Sequence, residues 1–92
     1  MPYIKQEQRE NLDPKIKELA DAIEKEANFT PINYLGLINY SFTKVLLETF
    51  GTPKYSKIAM ITGVLENIKQ EFYRRYAADY EDIKCEENGD LF

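Results

Sequence analysis

Between Ile58 and Phe72 the chain places Ile58, Ile61, Leu65, Ile68 and Phe72 at alternating spacings of three and four residues. On a helix of 3.6 residues per turn these side chains form one stripe, whereas on a strand they would scatter over both faces. Tyr76 continues the stripe, and Met60 and Val64 form a narrower one beside it. The helix that carries them is expected over 56–79, with Ser56 as its cap and Tyr55 packed on Met60. At 1.5 Å per residue it is roughly 35 Å long, against roughly 22 Å for the first helix described below. A stripe that outruns the helices of its own chain is most simply covered by the same helix of a second copy. The expected assembly is therefore a homodimer through this long helix.

Two further helices precede it. Asp13 and Pro14 form a start signal, since Asp accepts from first-turn amides and Pro at the first helical position loses no helix bond. From there Ile16, Leu19, Ala20, Ile23 and Ala27 recur at helical spacing, with Lys15, Lys17, Glu18, Asp21, Glu24 and Lys25 on the other side. This predicts a helix over 13–27. The second helix is expected over 36–50, its apolar side made by Phe42, Val45, Leu46 and Phe50, and Gly51 and Pro53 end it. Thr30-Pro31 offers an earlier start for it, and that boundary stays open. The fold class is thus all-α: one domain over 1–92 with three helices, a long third helix and an acidic C-terminal extension over 80–92. With 92 residues the chain is expected to hold a single core. The end, with Ile83, Leu91 and Phe92 among its acids, is expected to fold back as a short extended segment.

Charge and composition narrow the chemistry. The chain has 16 acidic and 12 basic residues, and five of the acids with one base lie in 81–92, so residues 1–80 are neutral and the net charge of -4 belongs to the end. That balance disfavours nucleic acid and anionic membranes, which need a concentrated basic surface. No stretch is apolar for the length of a membrane span, and the opening lacks the apolar core of a secretory signal, so the cytoplasm is the expected location. The chain has no His, which removes Ser-His and Cys-His nucleophile pairs and an imidazole base. Cys85 is the single cysteine, and its neighbours Glu86 and Glu87 disfavour a thiolate nucleophile. No catalytic residue, cofactor-binding set or metal-ligand set is assigned.

Several motifs nevertheless invite a site. They are Pro2-Tyr3-Ile4, then Gly36-Leu37-Ile38-Asn39-Tyr40 with Thr43, then Gly63-Val64-Leu65-Glu66, then Glu71-Phe72-Tyr73-Arg74-Arg75, Tyr80-Glu81-Asp82 and Glu87-Asn88-Gly89-Asp90. In this order and length the chain resembles a family of short proteins of unknown function found in bacteria, archaea and phages. The resemblance implies a small helical fold and no established activity. It also implies a Pro ahead of the Tyr80-Glu81-Asp82 element, where this chain has Asp79.

The candidate interaction or ligand residues are Asn39, Tyr40, Glu66, Tyr73, Arg74, Arg75, Tyr80, Glu81 and Asp82. Gly63 costs about 1 kcal/mol relative to Ala within a helix, which a close helix crossing or a ligand at the backbone would offset; the crossing is the favoured reading. Glu66 beside it is either a solvated carboxylate or a polar group facing Asn39 and Tyr40. Tyr73-Arg74-Arg75-Tyr76 has the composition of a stacking and phosphate-contact patch, but the following acids predict pairing of the arginines with Glu81, Asp82 or Asp90. The function expected from these features is a non-catalytic protein–protein interaction module. The alternative is a metal-dependent nucleotide or phosphate-ester hydrolase of the all-helical type, with Glu18, Asp21 and Glu24 presenting carboxylates to Mg²⁺. Its matching acidic pair is missing, because Lys69 follows Glu66 and Arg74 follows Glu71 at the required spacing.

Overall fold

The computed structural model describes residues 3–91, so Pro2 and Phe92 of the motifs above lie outside it. The described chain is all-α: α1 (Gln6–Ala27), α2 (Pro31–Phe50), α3 (Tyr55–Phe72) and α4 (Ala78–Asn88), the last two joined by a π-helical turn at Tyr73–Ala77. The backbone stays helical through that turn, so α3, the turn and α4 make one long third helix of 34 residues. None of the helices is long and apolar enough to cross a membrane. The chain divides into two compact units, one ending at Gly51 and one starting at Thr52.

In the first unit, α1 starts at Gln6 rather than at Asp13, and Pro14 lies inside it. The Lys5 amide donates to Gln8 Oε1 at 2.9 Å, so a side chain three residues on satisfies a free amide at the helix start. That local bond, with the helix-forming Gln6, Glu7, Gln8 and Arg9, carries the helix through the proline. α1 ends at Asn28, which is left-handed at φ 50° and donates its amide to the Glu24 carbonyl. Phe29 follows at φ 60°, a conformation uncommon for a bulky side chain. The Ala27 carbonyl then accepts from the Thr30 amide at 3.1 Å and from Asn33 Nδ2 at 3.2 Å, which ties the corner to the start of α2. Pro31 is at the first turn of α2, as the earlier of its two expected starts requires.

The helices of this unit approach each other near the corner and little beyond it. Leu19 and Ile23 on α1 and Tyr34, Leu37 and Ser41 on α2 are partly buried, and Ala27 is the one buried hydrophobic residue among those described. The first unit by itself therefore buries little apolar surface. Two helices that meet at a corner leave their outer faces to solvent, and Phe42 remains 51% exposed.

The second unit is the long helix itself. Gly51, at φ 59°, donates its amide to Leu47 and ends α2, and Lys54 in an extended conformation leads into α3. Ser56 is not the cap; α3 already begins at Tyr55 and shows no side-chain cap bond. The helix also does not stop at Asp79. No Pro or Gly lies between Asp79 and Asn88, so nothing breaks the ladder until Gly89 at φ 86°. Residues 80–88 thus extend the helix, which corrects the expected short extended segment, and Lys84 pairs with Glu87 at 3.0 Å along it.

Candidate functional site

The residues singled out from the sequence fall into two groups, one in each unit. On α2, Asn39 and Tyr40 line a shallow, open depression along the helix. Asn39 Oδ1 accepts from the Thr43 hydroxyl at 3.3 Å, and Tyr40 is 68% exposed. Glu66 belongs to α3, where its Oε1 accepts from Gln70 Nε2 at 3.2 Å.

The second group surrounds the π-helical turn. Each α-helical residue advances about 100°, so a residue and the seventh after it share a face. A π turn takes up one extra residue, which moves the shared face to the eighth position. The Tyr73 hydroxyl accordingly donates to Glu81 Oε2 at 2.5 Å, eight residues away. That acceptor, followed by burial, holds the Tyr73 hydroxyl above the usual phenol range.

Arg74 and Arg75 differ from expectation. Both guanidinium groups donate to Glu71 Oε1, one turn earlier, and Glu81, expected to meet them, accepts from Tyr73 instead. The i,i+3 and i,i+4 separations explain the choice, because such residues are neighbours on a helix surface. Ahead of them Phe72 stacks on Tyr76 with centroids 5.0 Å apart, and after them Lys84 lies 5.6 Å from the centroid of the Tyr80 ring. Asp82 is exposed on α4. The π turn thus collects Tyr73, Arg74, Arg75 and Glu81 with Glu71, a residue outside the candidate set whose spacing from both arginines was visible in the sequence. The Tyr73–Glu81 bond was not read from the sequence: a regular helix leaves residues eight apart about 80° out of line, and the π turn closes that angle.

The acidic residues of α1 form no ligand set. Asp21 is held by Lys17 at 2.7 Å, a bond that also keeps the Lys17 ammonium above the usual lysine range. Among the described residues no three His, Cys, Asp or Glu side chains come together in a group suited to a metal ion.

The chain matches, over residues 1–91, the family described as a domain of unknown function, DUF6899. It belongs to that family. No curated protein and no solved structure matches it.

In this DUF6899 chain the tyrosine contact has a measurable signature. A hydroxyl whose proton is held more tightly in the folded state stabilises the fold below the ordinary phenol range, and that contribution is lost as the pH rises through the raised value. In an alkaline absorbance titration one of the seven tyrosines is expected to ionise after the rest. Tyr73→Phe should remove that late step, and Glu81→Gln should shift it back toward the others. A late step that persists in Tyr73→Phe would assign it to another residue.

Proposed function

We propose that this protein is a non-catalytic protein–protein interaction module that acts as a homodimer, built by pairing its long third helix with that of a second copy. The observation that carries this reading is the open stripe on α3, where Ile58, Leu65, Ile68 and Phe72 are between 41% and 61% exposed. Contiguous apolar surface of this kind marks interaction sites in soluble proteins. Gly63 lies on the other side of α3, about 180° from the middle of the stripe, where a side-chain carbon would meet no neighbouring atom within 4 Å, so it takes no part in this pairing. Beyond the pair itself, the exposed tyrosines and the acids of α4 form the surface for a further protein partner.

The test is the mass in solution, by light scattering across a dilution series. A mass of two or more 10.8 kDa chains, falling on dilution, is the expected result. One chain at every concentration would overturn the reading.

A further inference from the structure

The π turn decides which side of α4 continues the apolar stripe of α3. Ile83 lies eleven residues after Phe72 and eighteen after Leu65, separations that a regular helix brings within about 20° of one line. A third helix that was α-helical throughout would therefore carry the stripe on to Ile83, the one branched aliphatic side chain of α4. The extra residue taken up at Tyr73–Ala77 turns α4 back by about 100°. Ile83 is then left roughly 80–100° off the line, and Tyr80 and Lys84 stand close to it instead. The line past the turn thus ends in a phenol ring with an ammonium group 5.6 Å from its centroid.

Two sets of side-chain bonds hold the turn. On its α3 side, Glu71 accepts from Arg74 and Arg75, both within the turn. Across it, the Tyr73 hydroxyl donates to Glu81 Oε2 at 2.5 Å, and a carboxylate acceptor makes this a bond of the strong kind. The first set joins residues three and four apart, which a regular helix also keeps as neighbours. The second does not survive in a regular helix, where Tyr73 and Glu81 stand about 80° apart. Of the two, the Tyr73–Glu81 bond is the one that discriminates between the registers. Little packing opposes a change of register, because α4 is exposed apart from Ala78 and Cys85, which are partly buried.

We propose that the Tyr73–Glu81 bond is a register lock: while it is made the π turn persists and Ile83 is turned out of the stripe, and when it is broken the turn closes into regular helix and Ile83 joins Leu65 and Phe72. The register belongs to the single chain. Its effect on association rests on the third-helix pairing proposed above, whose apolar face the regular helix lengthens by about three turns.

Scalar couplings across hydrogen bonds, measured by NMR on the full-length chain, test the lock, because they identify the carbonyl to which each amide donates. The Ala78 amide donates to the Tyr73 carbonyl, five residues back. In a regular helix its acceptor is the Arg74 carbonyl. In Tyr73→Phe and in Glu81→Ala the Ala78 coupling is expected to move to Arg74, while Glu81→Gln, which keeps an acceptor oxygen, should leave it at residue 73. A coupling to residue 73 that persists in Tyr73→Phe would overturn the proposal, as would a coupling to Arg74 in the unsubstituted chain. Sedimentation reads the effect on association: Ile83→Glu should weaken it at least tenfold in the Tyr73→Phe background and less than twofold in the parent. An equal effect in the two backgrounds would overturn the link between register and pairing. A parent mass of one chain at every concentration would instead end the third-helix reading, and the Ala78 coupling would then decide the lock alone.

Discussion

Replacing Ile68 with Glu is expected to break the third-helix pairing and raise its dissociation constant by at least a hundredfold. Ile68 occupies the middle of the α3 stripe and is 49% exposed in one chain. Fully covering an Ile side chain contributes about 1.5–3 kcal/mol, and a two-fold contact counts that residue twice. The glutamate forfeits this contribution and also carries a charge into an apolar contact, where it must remain hydrated or lose its proton. About half of that is left to gain at a side chain 49% exposed, so the two copies together forfeit about 1.5–3 kcal/mol, and the cost of the buried charge carries the loss past a hundredfold at about 1.4 kcal/mol per tenfold. Asn67→Glu, on the opposite side of the helix, is the control and should leave the mass unaltered. Sedimentation or light scattering reads both variants. An Ile68→Glu mass equal to that of the parent at every concentration would show that the stripe does not hold the copies together.

Pro14→Ala is expected to stabilise the protein by about 1–3 kcal/mol, the second large effect. Pro14 lies inside α1, where it has no amide to donate to the Glu10 carbonyl and its ring crowds that turn. Alanine restores the donor and removes the crowding, and each 1 kcal/mol raises the melting temperature of a domain this size by roughly 4–8 °C. The variant also tests where α1 begins. A helix that started at Asp13 would hold Pro14 at its first position, where the missing amide has no helix partner and alanine brings no gain. Unchanged thermal stability would thus argue for the later start, and far-UV circular dichroism would show whether residues 6–12 add helix.

The places where expectation and structure part are physically instructive. The spacing of three and four that marked Ile16 to Ala27 and Ile58 to Phe72 is a property of one helix turn, so it was readable without knowing what the helices touch. Gly51 and Pro53 likewise acted locally, one through its positive φ and one through its lost amide. Local signals misled where two of them competed. At Asp13-Pro14 the start signal lost to the Lys5–Gln8 bond further upstream, and at Asp79 a breaker implied by resemblance was absent from the chain. The candidate site was legible in residue type at Tyr73, Arg74 and Arg75, and in partner only where the partner lay one turn away, as Glu71 does.

By itself the sequence determined an all-α chain with a long third helix, a neutral body and an acidic end, because helical periodicity, helix breakers and charge act over a few residues. The tertiary structure decided the rest. It showed that Ala27 is the one buried hydrophobic residue among those described, with the α3 stripe residues Ile58, Leu65, Ile68 and Phe72 left exposed. It also joined Tyr73 to Glu81, since the π turn shifts the helix register by one residue and brings into line two side chains that a regular helix leaves about 80° apart.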